Sequence, residues 1–213
     1  MSEQLPGGGI ELSPEEIDDL HVRWSSSWTP NEVAQQLAGI RTPWYVAAGW
    51  ALDLFLGRQT RIHGDIEIGI PDASFPRVRQ RFPAYVFDAA GSGRIWEDAT
   101  PEVLAAVHQT WLRDPATGNY LLDVFREPHD GDTWICRRDE EIRLPYGDII
   151  HHAEDGIPYL VPELVLLFKA KHARRKDQRD FDTTVPHMTR VQRETLAELL
   201  ARVHPGHSWL VDL

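Results

Sequence analysis

The chain carries one cysteine, Cys136, in 213 residues, so an intrachain disulfide is excluded. It has no apolar run near the ~20 residues that a membrane-crossing helix needs, so no membrane role is expected. The N-terminal stretch MSEQLPGGG holds neither a basic n-region nor an apolar h-region. No export signal is expected there, and a cytoplasmic location is the simplest expectation. Basic residues are in short supply: 22 Lys and Arg stand against 33 Asp and Glu, for a formal net charge of −11. That balance argues against a nucleic-acid partner, which needs a basic stripe to neutralise phosphates. It suits a cationic ligand, or simply a well-solvated surface. Internal repeats and low-complexity linkers are missing too.

What is present fits one core with a smaller appended subdomain. Residues 1–9 are glycine-rich and expected to be a disordered tail. Residues 10–150 are expected to form the main domain, and 151–213 a C-terminal helical subdomain. Ser13-Pro14-Glu15-Glu16 and Thr29-Pro30-Asn31-Glu32 each read as a capping box opening a helix. Trp44–Ala47, Asp65–Ile70, Ala84–Asp88 and Tyr120–Arg126 read as strands, the second stopped by Pro71. Ala73–Arg81 reads as a helix with Pro76 in its first turn, and 134–144 as a hairpin with charged turn residues. Beyond about His151 the pattern turns helical. Pro162 opens one helix, and Arg190–Val203 is another, with Val191, Leu196, Leu199, Leu200 and Val203 as its buried stripe. The class is α+β, a mixed β-sheet flanked by helices.

The densest chemistry lies between Trp44 and Pro71. Asp65 and Glu67 are spaced to share one face of a strand, while Ile66 and Ile68 point to the other. Paired hard oxygen donors suit Mg²⁺, which also binds substrate phosphates. Exposed edge strands carry such pairs too, so the pair alone is a weak signal. A glycine turn and a helix start precede it at Ala48-Gly49. Backbone N–H groups at a helix N-terminus suit phosphate oxygens. Asp123, set among Leu121, Leu122, Val124 and Phe125, is the best candidate for a third carboxylate. A carboxylate in so apolar a strand needs a metal, a base or an acid as partner.

Ala48, Gly49, Trp50, Ala51 and Asp53, followed by Leu56, Gly57, Arg58, Thr60, Arg61, His63, Asp65, Ile66 and Glu67, form one block. That block resembles the nucleotidyltransferase superfamily that includes DNA polymerase beta. Within it, the block is similar to aminoglycoside 2″-nucleotidyltransferases and small lincosamide nucleotidyltransferases. The resemblance implies a nucleotidyltransferase fold and transfer of a nucleoside monophosphate from a nucleoside triphosphate, AMP from ATP first of all. The acceptor would be a hydroxyl of a small molecule, and pyrophosphate would leave. It implies that Asp65, Glu67 and Asp123 hold Mg²⁺ and do the catalysis, with Asp123 taking the acceptor's proton or helping to hold a metal. Ala48 and Gly49 would lie at the triphosphate.

Arg58, Arg61 and Lys169 are candidate phosphate contacts, and each could instead pair with a local carboxylate; Asp177 and Asp180 stand near Lys169 in sequence. Two departures from the family pattern matter. Ala48 replaces the first glycine of a pair, which crowds the phosphates if its φ is positive. Glu67 stands in place of an aspartate. Two other functions remain open: a nucleotide-binding or interaction protein with little turnover, and a toxin-type nucleotidyltransferase acting on protein or tRNA. Acceptor identity and oligomeric state are not readable from the sequence.

Overall fold

A computed structural model describes residues 6–213, which divide into two compact units. The first comprises the chain through Trp44 together with His63–His129, and the second Tyr45–Ile62 together with Asp130–Leu213. The segments 45–62 and 130–150 both belong with the C-terminal part in this division. Of the expected tail, residues 1–5 lie outside the described residues. The Gly7 and Gly9 carbonyls accept bonds from Trp96 Nε1 (3.2 Å) and Arg94 Nη1 (3.1 Å). Gly9 lies so near Trp96 that a Cβ on it would come within 2.5 Å of the ring.

In chain order the elements are β1 (Ile10–Glu11), α1 (Pro14–Arg23), α2 (Pro30–Gln36), β2 (Tyr45–Val46), α3 (Ala48–Leu56), β3 (Glu67–Pro71), α4 (Phe75–Arg81), β4 (Val86–Gly91), β5 (Arg94–Trp96) and α5 (Pro101–Ala106). They continue with β6 (Gln109–Arg113), β7 (Tyr120–Glu127), β8 (His129–Asp130), β9 (Thr133–Ile135), β10 (Arg143–Pro145), α6 (Tyr146–Ile149), β11 (Ile150–His152), β12 (Pro158–Leu160), α7 (Pro162–Ala170), α8 (Arg175–Thr184) and α9 (Arg190–Val203).

The first unit is built on a mixed sheet in the order β1-β5-β4-β6-β7-β3. Its neighbours run antiparallel, except that β3 and β7 are parallel. One face is mostly apolar: Ile66, Ile68 and Ile70 lie beside Leu122, Val124, Leu112 and Phe87, all buried, with Thr110 and Arg126 among them. On that face α4 packs Phe75 edge-on to Phe87 at 5.0 Å, and α5 adds Val103 to a cluster with Ala89 and Trp96. The opposite face is polar, and α1 covers part of it through Trp24, which meets Trp111 at 5.5 Å. Both predicted capping boxes form, Ser13 with Glu16 and Thr29 with Glu32. The apolar face thus anchors the sheet and leaves the other face for chemistry.

In the second unit β2 and β12 pair in parallel, and β12 pairs antiparallel with β11. Helix α3 packs against α7, α8 and β12, and α7 against α9. The hairpin of β9 and β10 forms as predicted, and its Trp134 meets Phe168 edge-on at 6.2 Å. Trp209 stacks on Phe181 at 4.3 Å and donates to Gln178 Oε1, pinning the C-terminus.

Three expectations change. The second predicted strand begins at Glu67 rather than Asp65, and Pro71 is its last residue instead of its stop. Proline is tolerated there because a strand's last residue gives up little ladder bonding. The stretch read as wholly helical after His151 contains most of β11 and all of β12, runs too short to show a period. Val191 is 63% exposed and outside the α9 stripe, whereas Leu196 and Leu200 are fully buried.

Candidate active site

The register of the sheet lines up four side chains. Glu67 is opposite Asp123 across β3 and β7. Asp123 is opposite Trp111 across β7 and β6, and Trp111 is opposite Asp88 across β6 and β4. Residues directly opposite share a face, so Glu67, Asp123, Trp111 and Asp88 form one row on the polar side. Asp65 stands one residue ahead of Ile66, whose carbonyl accepts from the Asp123 N–H at 2.9 Å. It is half-buried where pairing begins, ahead of the assigned strand.

The two aspartates of the row are held differently. Asp88 is fully buried. It takes Arg113 Nε at 2.6 Å, Arg113 Nη2 at 3.1 Å, the Tyr120 hydroxyl at 3.1 Å and the Asp98 N–H at 2.9 Å. The bond to Asp88 holds the Arg113 guanidinium above its ordinary value. Burial, with the Asp88 charge beside it, pushes the Tyr120 phenol well up. Arg23 lies over the Tyr120 ring at 4.1 Å. Asp123 is 3% exposed, and its Oδ2 accepts from Gln109 Nε2 at 2.5 Å.

The first unit therefore brings Glu67 and Asp123 side by side, with Asp65 just ahead of them. Among the described residues no three His, Cys, Asp or Glu side chains are gathered closely enough to hold a metal ion. The donor set nonetheless fits Mg²⁺. That ion is bound through one or two carboxylates and completes its shell with water and substrate phosphates, rather than in an all-protein cage.

In the second unit, α3 opens on Ala48 with φ +49°, a left-handed backbone on a residue that has a Cβ. No side chain caps its start at Ala47. Its end is orthodox: Gly57 takes the left-handed cap at φ +65°. Asp53, buried, then accepts from the Thr60 N–H (3.0 Å) and hydroxyl (2.6 Å), which fixes the loop carrying Arg58 and Arg61. Arg58 is exposed. Arg61 makes two bonds to Asp180, at 2.9 and 3.2 Å. The Lys169 ammonium sits between Asp177 (3.1 Å) and Asp180 (2.9 Å), and Arg174 also reaches Asp177 at 2.8 Å. Burial acts to raise the Asp177 carboxyl, but bonds from Arg174 and the Lys169 charge outweigh it and hold it at about 2. Asp180 is lowered in the same way by Arg61 and Lys169 against its burial. Between the two alternatives for Arg61 and Lys169, the structure shows the carboxylate pairing.

Gln109 is the residue of this site that the sequence does not reveal. The run Gln109–Arg113 alternates buried Thr110 and Leu112 with the other three, which signals a strand. Nothing in it points to Asp123.

An acid-bearing mixed sheet with helices on both faces defines the nucleotidyltransferase fold, and comparison with known proteins agrees. Residues 31–102 match the model of the aminoglycoside-2″-adenylyltransferase family, a stretch that includes Asp65 and Glu67 but ends before Asp123. The lincomycin-bound lincosamide antibiotic adenylyltransferase LnuA superposes with a TM-score of 0.50 at 16% identity, covering 84% of this chain and 100% of that one. The antibiotic-resistance factor ANT(2″)-Ia in solution gives 0.54 at 15% identity, covering 85% and 92%. ANT(2″)-Ia in complex with adenylyl-2″-tobramycin gives 0.53 at 14% identity, covering 81% and 95%. No curated protein matches the chain in sequence. No helix among the described residues is long and apolar enough to cross a membrane.

Proposed function

We propose that this chain is an enzyme, an adenylyltransferase of the antibiotic-modifying type. It passes AMP from ATP to a hydroxyl of a small cationic acceptor, aminoglycoside- or lincosamide-like, and releases pyrophosphate. The observation that carries this reading is the register of Glu67 against Asp123 on the polar face of a sheet whose other face is mostly apolar. The family match over 31–102 supports it, and so does the acidic balance of the chain, which favours a cationic acceptor.

Asp65, Glu67 and Asp123 would hold Mg²⁺. The bound metal would neutralise the triphosphate and polarise the α-phosphorus for attack. Asp123 accepts the proton of the acceptor hydroxyl as its oxygen bonds the α-phosphorus. The bond to the bridging oxygen breaks, and pyrophosphate leaves. The rigid sheet contributes positioning, the main protein share of catalysis in such transfers. In the second unit the reading assigns phosphate contact to the α3 start at Ala48 and Gly49 and to Arg58. Arg61 and Lys169 stay in that role only if a phosphate takes up part of what Asp177 and Asp180 now bind.

Incubation with ATP, Mg²⁺ and either lincomycin or tobramycin tests the reading. Pyrophosphate release is expected with at least one of them, reduced about 10²–10³-fold by Asp65→Ala. Turnover that survives that substitution sinks the mechanism. The left-handed Ala48 favours a second reading, a nucleotide-binding protein of the same fold with little turnover. Calorimetry that detects Mg²⁺–ATP binding, alongside no transfer to any acceptor, would select it.

A further inference from the structure

Gln109 lies on β6 two residues from Trp111, which is the register partner of Asp123. Its side chain runs along the polar face and donates to Asp123 Oδ2. Asp123 is almost wholly buried, so its rotamer is fixed by what it touches. We propose that Gln109 is a positioning residue: its amide commits one Asp123 oxygen and thereby aims the carboxylate at the metal and the acceptor hydroxyl. This rests on the adenylyltransferase reading above.

The chemistry of the donor is the argument. On the same face, Asp88 is met by the Arg113 guanidinium. The donor from Gln109 to Asp123 carries no charge. A neutral amide gives direction without neutralisation. Groups that orient a metal-binding side chain are typically worth 10–100-fold in metal affinity or activity.

Gln109→Met keeps the side-chain length and donates nothing. Electron paramagnetic resonance with Mn²⁺ and α,β-methylene-ATP reads metal binding without turnover. The expected result is a 10–100-fold loss of Mn²⁺ affinity in Gln109→Met, with the thermal midpoint unchanged. In an Asp123→Asn background the same substitution should change nothing further, because Gln109 acts through Asp123. Gln109→Asn, one methylene short, should fall between, and it serves if the methionine variant fails to fold. A folded variant with wild-type Mn²⁺ affinity overturns the inference, and so does an equal loss in both backgrounds. Asp123→Asn separates the two ideas. If that variant binds Mn²⁺ and turns over normally, the adenylyltransferase reading itself fails. If it is inactive while Gln109→Met is silent, only the role of Gln109 is lost.

Discussion

Asp88 and Asp123 lie on one face of one sheet with a single strand between them, both buried. Asp88 meets a guanidinium, a phenol and a backbone N–H. Asp123 takes a bond from a neutral amide and stands in register with another carboxylate, Glu67. Burying a charge costs free energy that only good partners return. At Asp88 the return comes from the fold itself, so the residue is a brace. At Asp123 the Gln109 amide fixes one oxygen and Glu67 stands alongside, an arrangement expected where a cation is to bind. Burial alone therefore does not separate a structural acid from a functional one; what the carboxylate faces has to be considered with it.

Exchanging the two acids sharpens this contrast most strongly. Asp123→Asn should cost about 10³-fold in pyrophosphate release, the scale of losing a group that meets transition-state charge. Its urea midpoint should stay within about 1 kcal/mol of wild type. Asp88→Asn should do the reverse. It leaves the half-buried Arg113 without its countercharge and should lower stability by about 2 kcal/mol, while the folded fraction keeps its turnover. Equal activity losses in the two variants, measured on folded protein, would erase the distinction.

The sequence shows unequal amounts of these two regions. The strand bearing Glu67 and the run around Asp123 are legible because Ile66, Ile68, Leu122 and Val124 alternate or cluster in the ordinary way. The two capping boxes and the α9 span are legible because caps and helical period are local signals. Asp88 is visible only as a charge at the end of a predicted strand. Its partner Arg113 is 25 residues along the chain on another strand, so the brace is invisible. Gln109 is hidden for the same reason. Strand register decides both pairings, and register depends on non-local contacts that no window of sequence contains. The start of β3 is misjudged by two residues because alternation continues through Asp65 before pairing begins.

The second unit repeats the Asp88 pattern on a larger scale. Asp177 and Asp180 are buried among Lys169, Arg61 and Arg174, so they are expected to act as braces when no phosphate is present. Asp177 is held near 2, below the ordinary carboxylate value near 4. A carboxyl depressed in the folded state contributes stability that is present above its unfolded pKa and is lost as pH falls through its folded pKa. Urea midpoints should therefore drop between about pH 4 and pH 2. Asp177→Asn should be less stable than wild type at neutral pH and converge with it toward the acid end. Parallel curves would show that the network contributes nothing to the fold, and would return Lys169 and Arg61 to a purely ligand-facing role.

The smallest expected effect concerns the start of α3. Ala48 holds φ +49°, a conformation that costs an L-residue about 1–2 kcal/mol. Glycine at the same place avoids that strain but gives up about 0.5–1 kcal/mol of backbone entropy. Ala48→Gly should therefore stabilise the protein by at most about 1 kcal/mol, read as a higher urea midpoint with an unchanged slope. Its effect on ATP binding decides more than its effect on stability. The backbone already has the shape that a glycine would give it, so only the methyl group is removed. If the methyl merely adds strain, KM for ATP stays within a few-fold of wild type while stability rises. If it crowds the phosphates, KM falls and turnover climbs by an order of magnitude. In that case the unsubstituted chain is a nucleotide binder restrained by one carbon, while Glu67 and Asp123 stand ready on their sheet.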